Sequence, residues 1–257
     1  MRNKIFFASD LHLGMPSREK SLQRERIFVQ WLESIKMEAE VLYLVGDVFD
    51  FWFEYRHAVP RGYIRVLGKL AELADLGVKI HIFIGNHDLW YSDYLTSELN
   101  ATLHTGHYIA THFGKKLYIH HGDGLGPGDY GYKFIRFVFT FPPFKWLYGC
   151  LHPNIGVPLA EFASKLSGNY SKKETESPFY GEKEALLIHS RQVSAQEPDI
   201  VAFIYGHRHI LRQFAVNERA TCFYLGDWIN FFSYLEMNDK GFFLQQFQVI
   251  SRRFSQI

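Results

Sequence analysis

Five short motifs combine aspartate, asparagine and histidine with glycine, and four of them directly follow a segment typical of a buried strand. Their candidate metal ligands are two carboxylates, one amide oxygen and four imidazoles. This mixture suits borderline divalent ions such as manganese, iron, zinc or cobalt, not calcium alone. In chain order, the motifs are Asp10-Leu11-His12, Gly46-Asp47-Val48-Phe49-Asp50, Gly85-Asn86-His87-Asp88, His121-Gly122-Asp123 and Gly206-His207-Arg208-His209.

The spacing inside the motifs favours a shared site. Asp10 and His12 are two residues apart, as are His207 and His209, and side chains at that spacing in an extended segment point to the same side. The glycines allow sharp turns and close approach of the backbone to a metal or phosphate. Alone, each motif is weak evidence, because a single Asp-x-His is more often a cap or surface pair and a single Gly-Asp is usually a turn. Together, at strand ends, they predict a metal cluster.

The elements that must position these motifs follow from hydrophobic periodicity. Residues 4–9, 41–45 and 78–84 are apolar runs typical of buried strands, and helical spacing of apolar side chains predicts helices over 19–36 and 62–76. This alternation predicts a largely parallel central sheet with covering helices. In open sheets of this kind, ligand sites gather at the carboxyl ends of the strands, where the motifs lie.

The alternation breaks after the third strand. A Gly114-Lys115 turn predicts a hairpin over 107–120, and an insertion dense in Phe, Tyr, Trp, Pro and Lys occupies about 126–178. A helix is predicted over 180–196, and strands at 200–205, 211–217, 221–225 and 242–249. We interpret 213–257, including Gly226-Asp227-Trp228, as strands of the second sheet with no assigned chemistry. The chain is therefore predicted to be one catalytic domain over 1–257 that contains the insertion.

Composition narrows the function classes. With 257 residues, 47% of them apolar, the chain is long enough for a substantial core. A formal net charge of +1 argues against broad, sequence-blind binding of nucleic acid. The first residues do not resemble a signal peptide and no apolar run has the length of a membrane span, so we expect a soluble cytoplasmic protein.

The five motifs resemble those of the calcineurin-like metallophosphoesterase superfamily. The resemblance implies an α/β fold, a four-layer sandwich of two mixed β-sheets flanked by helices. It also implies a dinuclear site for two divalent cations, most often Mn²⁺, with Fe, Zn or Co as alternatives. Asp10, His12, Asp47 and His209 would hold the first cation, and Asp47, Asn86, His121 and His207 the second. Asp47 would bridge the two.

The resemblance also implies catalytic roles. Asp47 would act through the bridge, and His87 would lie beside the reacting phosphoryl group, where it stabilises developing charge or protonates a leaving oxygen. For Asp88 two roles are open: it orients His87, or it stabilises the loop.

A closer resemblance is to the bacterial UDP-2,3-diacylglucosamine pyrophosphatases of lipid A biosynthesis. It rests on Ser9-Asp10-Leu11-His12-Leu13-Gly14, on Gly46-Asp47-Val48-Phe49-Asp50-Phe51-Trp52, and on the insertion, placed where that family carries a helical cap. It implies hydrolysis of a nucleotide-linked glycolipid to UMP and 2,3-diacylglucosamine 1-phosphate. It also implies a peripheral location on the inner face of the bacterial inner membrane, with no obligate protein partner. The substrate contacts would come from Asn86, His87, Asp129, Tyr132, Lys172 and His207.

Two alternatives remain open at this point. The best-studied subgroup of those pyrophosphatases has Arg where this chain has His87, which fits a soluble nucleotide or another phosphodiester or pyrophosphate slightly better. The aromatic residues of the insertion could bury acyl chains, with basic neighbours such as Arg136 and Lys145 meeting phosphates or headgroups, or they could form the core of the cap itself. A non-catalytic scaffold is disfavoured, since all seven ligands are present.

Overall fold

The computed structural model describes residues 2–125, 136–137, 139–160, 162 and 179–248. Two sheets form its centre. The first has six strands in the order β11-β10-β1-β2-β3-β4 and the second has five in the order β5-β6-β7-β9-β8. In the first sheet the bounds are β1 Lys4–Ala8, β2 Ala39–Val45, β3 Lys79–Phe83, β4 Thr102–His104, β10 Ser233–Asn238 and β11 Gly241–Gln246. In the second they are β5 Tyr108–His112, β6 Lys115–His120, β7 Ile200–Tyr205, β8 Leu211–Ala215 and β9 Thr221–Leu225.

Both sheets are mixed, as expected. Strands β1 to β4 run parallel, whereas β10 pairs antiparallel with β1, and β11 with β10. In the second sheet β6, β7 and β9 are parallel, and β5 and β8 are antiparallel edge strands. The runs predicted as buried strands are thus the parallel centre, where both faces are covered.

Helices cover the outer faces of the sheets. They are α1 Arg18–Ile35, α2 Ile64–Asp75, α3 Tyr94–Leu99, α4 Pro142–Gly149 and α5 Ala185–Gln196. The first three pack with β1 to β3 around a core that includes Phe28 and Trp31. Helix α5 packs through Leu186 and Leu187 on the second sheet. A third core lies between the sheets, and the four-layer sandwich is confirmed.

Two sequence interpretations are wrong. Strands β10 and β11 belong to the first sheet, not the second, because Leu235 and Met237 pair with Phe7 and Ile5 on β1 and are fully buried in the core between the sheets. Alternating apolar residues predict a strand, but they do not specify its partner. The turn at Gly226-Asp227-Trp228 follows β9 and is not part of a strand. Helix α3 and strand β4 were not predicted.

The described part of the cap is helical over Pro142–Gly149 and over 153–160. Most of the predicted insertion, including Asp129, Tyr132 and Lys172, lies outside the described residues. Tyr148 and Phe139 pack on Trp90, with ring centroids 4.6 and 5.6 Å apart, and Tyr148 also lies 4.7 Å from Phe53. These rings join the cap to the domain.

The two basic cap residues that can be placed also attach it to the domain. Arg136 forms an ion pair with the buried Asp123, and the Lys145 ammonium donates to the Tyr91 carbonyl at 3.1 Å. They therefore do not point freely toward phosphates or headgroups, as the sequence had suggested.

Candidate metal centre

All five motifs lie at one edge of the sandwich, because each follows the carboxyl end of a parallel strand: β1, β2, β3, β6 or β7. Backbone hydrogen bonds hold neighbouring loops together. Asp10 N–H donates to the Gly46 carbonyl and His12 N–H to the Asp47 carbonyl, at 3.1 and 2.9 Å. The loops from β1 and β2 therefore run side by side, which places their carboxylates next to each other.

Five of the seven predicted ligands adopt a backbone conformation that non-glycine residues rarely take. The φ angles are 56° for Asp10, 44° for His12, 51° for Asp47, 66° for His207 and 49° for His209. Such residues persist only where the surrounding structure holds them, and they cluster at functional sites. The strain therefore supports a functional constraint on these loops.

The first ligand group consists of Asp10, His12, Asp47 and His209. His12 Nε2 lies 3.2 Å from His209 Nε2, 3.8 Å from Asp10 Oδ1 and 3.7 Å from Asp47 Oδ2. His209 Nε2 lies 3.4 Å from Asp10 Oδ1. Atoms that bind one cation at about 2.0–2.2 Å lie roughly 3–3.5 Å from one another. The separations are close to that range, so the group fits a cation.

The second ligand group consists of Asp47, Asn86, His121 and His207. His121 Nε2 lies 3.3 Å from Asp47 Oδ2 and 3.1 Å from Asn86 Oδ1. His207 Nδ1 lies 2.9 Å from the same amide oxygen. The oxygen Asp47 Oδ2 is thus close to an imidazole nitrogen of each group, which is the position a bridging ligand requires. The other oxygen, Asp47 Oδ1, accepts the His87 backbone N–H at 2.9 Å.

Electrostatics also favour cations at this site. Burial would raise the pKa of Asp47, but the charges of His121 and His87 hold it well below its usual range. Burial lowers the pKa of His207 to about 4, so its imidazole is neutral at pH 7. Burial would lower the pKa of His12 and His121, but the neighbouring carboxylates raise it, to about 10 for His12. Bound cations would displace these protons and take over the pairing with the carboxylates. The donor set therefore fits the implied cations.

Two glycines are required by close packing of the loops. A Cβ at Gly85 would lie 2.1 Å from Asp47 Oδ1, and a Cβ at Gly46 would lie 2.3 Å from His121 Nδ1. Neither gap can hold a carbon atom. These glycines therefore let the ligands from different strands converge.

His87 also lies in this cluster, and the structure assigns its partner. Its Nδ1 lies 3.2 Å from Asp50 Oδ1 and 3.3 Å from the Asp50 carbonyl oxygen. Asp88 does not play this part. One Asp88 oxygen accepts the Val48 N–H and the Tyr91 hydroxyl, and the other accepts the Gly85 N–H. Of the two roles left open for Asp88, the structure supports stabilisation of the loop.

Three supporting side chains were missed by sequence reasoning. Asp50 ends the second motif but was assigned no role from the sequence. Asp227 Oδ2 lies 3.1 Å from His209 Nδ1. Arg24, on the buried side of α1, donates to the carbonyls of Leu11 and His12 at 2.8 and 2.7 Å. The i, i+4, i+7 spacing of Arg24, Phe28 and Trp31 is the one sequence signal that places Arg24 on the apolar face of α1, but nothing local indicates the carbonyls that it contacts.

All six predicted substrate contacts remain predictions. Asn86, His87 and His207 line this cluster, whereas Asp129, Tyr132 and Lys172 lie outside the described residues. Within the described ranges, none of the helices combines the length and apolar character needed to cross a membrane.

One family model and several bacterial proteins match most of the chain. A model of the calcineurin-like phosphoesterase family matches residues 3–211. UDP-2,3-diacylglucosamine hydrolase from Porphyromonas gingivalis is 40% identical over 251 residues, which cover 91% of this chain and 94% of that protein. The protein of the same name from Haemophilus influenzae is 29% identical over 245 residues, covering 93% of this chain and 96% of that protein.

Among solved structures, Vacuolar Protein Sorting 29 from Cryptosporidium parvum aligns with a TM-score of 0.49 and 12% identity over 96% of this chain and 92% of that one. At that level of similarity nothing follows about activity. The family match over residues 3–211 includes all five motifs and all seven candidate ligands. The chain belongs to the calcineurin-like phosphoesterase family.

Proposed function

We propose that this chain is a metal-dependent hydrolase that cleaves the pyrophosphate of UDP-2,3-diacylglucosamine, releasing UMP and 2,3-diacylglucosamine 1-phosphate. The observation that carries the proposal is the position of Asp47 Oδ2, 3.7 Å from His12 Nε2 and 3.3 Å from His121 Nε2. The names of the two relatives, at 40% and 29% identity over nearly their full lengths, support the substrate.

The first and second ligand groups would hold two divalent cations, for which we propose Mn²⁺. When bound, such a pair activates water and neutralises charge on the phosphoryl oxygens. The chain's own contribution is to fix the positions of the ligands and to exclude alternative geometries. Asn86 and His207, at the edge of the cluster, and the predicted Asp129, Tyr132 and Lys172 would orient the substrate.

His87 is the proposed catalytic side chain beside the reacting phosphoryl group. Asp50 engages its Nδ1 through both a carboxylate and a carbonyl oxygen, which leaves Nε2 as the ring nitrogen for the substrate. From there the imidazole donates a hydrogen bond to a phosphoryl oxygen or to the leaving oxygen. Because the charge on these oxygens grows during cleavage, this interaction strengthens in the transition state.

The described part of the cap supports a lipid substrate and a membrane location. Helix α4 buries none of its residues. Its exposed side chains are 71% accessible at Trp146, 58% at Leu147 and 49% at Phe144. Tyr148 of the same helix faces inward against Trp90. Helix α4 therefore has one face packed on the domain and one exposed apolar face. One face attaches the cap, and we propose that the other contacts acyl chains and the inner face of the inner membrane.

The activity is tested by incubating purified protein and Mn²⁺ with UDP-2,3-diacylglucosamine in detergent and with soluble UDP-sugars. We expect UMP release from the diacylated substrate, strong preference for it, and loss of release with Asp47→Asn. The exposed Asp75→Asn, which removes the same charge at the end of α2, serves as the matched control. Faster hydrolysis of a soluble nucleotide than of the diacylated substrate would favour the alternative consistent with His87.

Membrane location is tested separately by sedimentation with vesicles of phosphatidylglycerol and phosphatidylethanolamine. The double variant Trp146→Ser, Leu147→Ser should bind vesicles at least tenfold more weakly, because it removes the most exposed apolar surface of α4. The control is Met37→Ser, which replaces an apolar residue that is 67% exposed just after α1. Equal binding by all three proteins would contradict docking through α4.

A further inference from the structure

The turn that follows β9 touches the first ligand group at two points. The Trp228 N–H donates to the Asp10 carbonyl at 3.1 Å, and Asp227 Oδ2 lies 3.1 Å from His209 Nδ1. This turn lies beyond residues 3–211, which match the family model. Sequence reasoning assigned no chemistry to this turn.

Hydrogen bonds and aromatic packing anchor the turn in the core. Asp227 Oδ1 accepts the backbone N–H groups of Ile229, Asn230 and Phe231, at 2.9, 2.6 and 3.2 Å. The side chain of Trp228 is fully buried and packs against Trp31, with ring centroids 5.1 Å apart. The Asp227 carboxylate therefore has one oxygen committed to the backbone of the turn, and its other oxygen faces His209 Nδ1 at 3.1 Å and accepts from the Asn230 amide at 3.3 Å.

An imidazole can bind a cation through one nitrogen only while that nitrogen carries no proton. His209 Nε2 faces Asp10 Oδ1 at 3.4 Å and His12 Nε2 at 3.2 Å, so Nε2 is the cation-binding atom. The proton must then reside on Nδ1, which donates to Asp227 Oδ2. A carboxylate accepts at this position and cannot donate, so it selects the required tautomer and fixes the orientation of the ring.

The second ligand group has a different support. His121 Nδ1 faces the Val45 carbonyl oxygen at 2.8 Å, a neutral backbone acceptor. Loss of Asp227 should therefore weaken the first cation and spare the second.

We propose that Asp227 is a positioning residue for the first cation, acting through His209, and that the turn after β9 is an integral part of the metal centre. The inference rests on the two-cation site of the proposed function but not on the identity of the substrate.

The test compares wild type, Asp227→Asn and the control Asp239→Asn by competition with a chromophoric chelator for Zn²⁺. Asp239 is exposed in the hairpin between β10 and β11, so its substitution removes the same charge from the same part of the chain. Asn keeps an oxygen for the turn but can place an N–H₂ against Nδ1. We expect one of two cations to bind about 10–100-fold more weakly in Asp227→Asn, with the control unchanged.

A double-mutant cycle separates positioning from general damage to the turn. In a His209→Ala background, Asp227→Asn should have no further effect on metal affinity. An equal effect in both backgrounds would overturn the proposal, as would wild-type affinity for both cations in Asp227→Asn. In ¹⁵N-histidine spectra of the Zn²⁺-loaded wild type, His209 should carry its proton on Nδ1; a proton on Nε2 would also overturn it.

Failure of the proposed function would look different. A wild-type chain that binds fewer than two cations contradicts the two-cation site. A wild type with two cations and an unaffected Asp227→Asn contradicts only the role of Asp227.

Discussion

Replacing Asp50 with Asn tests the proposed role of His87 most sharply. Asp50 Oδ1 lies 3.2 Å from His87 Nδ1, and both side chains are largely buried, with 12% and 13% of their surface exposed. A hydrogen bond to a charged group contributes about 1.5–3 kcal/mol, against about 0.5–1.5 kcal/mol for a neutral one. Asn keeps the neutral bond, so the expected loss is about 1–2 kcal/mol, or roughly 5- to 30-fold in kcat.

The assay is steady-state release of UMP at saturating Mn²⁺, with metal content measured on the same samples. We expect kcat to fall while KM stays within about twofold, because Asp50 acts through His87 and not on bound substrate. Metal content should be retained, since Asp50 Oδ1 is farther from His12 Nδ1, at 3.7 Å. Asp75→Asn is the matched control.

A double variant tests whether Asp50 acts through His87. In a His87→Asn protein, Asp50→Asn should add little, because the partner through which it acts is already gone. Two results would refute the reasoning: a kcat within twofold of wild type in Asp50→Asn with both cations present, or additive losses in the double variant.

Three further predictions concern the loops of the site and the stability of the domain. Gly85→Ala should abolish binding of two cations, measured by metal analysis, since its Cβ would lie 2.1 Å from Asp47 Oδ1; full metal content would contradict this. Arg24→Met removes the charged hydrogen bonds to the carbonyls of Leu11, His12 and Met15. A loss of about 2–3 kcal/mol should lower Tm by about 5–10 °C, at roughly 2–4 °C per kcal/mol for a domain of this size; an unchanged Tm would contradict a stabilising role of Arg24. Burial and the charge of His104 lower the pKa of His81 to about 4 in the folded protein, against about 6.5 in the unfolded chain. Between about pH 6.5 and 4 the unfolded chain therefore binds more protons than the folded protein, and the free energy of unfolding falls as the pH drops through that window. His81→Phe should reduce that fall by about 1–2 kcal/mol in urea titrations, a value discounted because the ring is partly solvated; an identical pH dependence would refute it.

The convergence of the candidate metal ligands could be predicted because the motifs contain the ligand residue types and follow the ends of predicted strands. Each motif follows an apolar run, and parallel strands bring the ends of such runs to one edge of a sheet. Asp10, Asp47 and His121 therefore meet although they are far apart in the chain. The same logic predicted the central strands and the first two long helices to within a few residues.

What could not be predicted depends on tertiary partners. Arg24 and Glu25 are buried on α1, where a charged pair would ordinarily be read as a solvated face. Glu25 accepts the Arg65 and Val66 N–H groups at the start of α2, a contact between two helices that no local pattern contains. The sheet that strand β10 joins and the direction of the Asp227 carboxylate are likewise set by packing and not by the local sequence.

The dinuclear site itself is tested most directly by anomalous diffraction from crystals grown with Mn²⁺. We expect two peaks about 3.5–4 Å apart, one among Asp10, His12 and His209 and the other among Asn86, His121 and His207, with Asp47 Oδ2 between them. A single peak, or a pair that Asp47 does not bridge, would contradict the account.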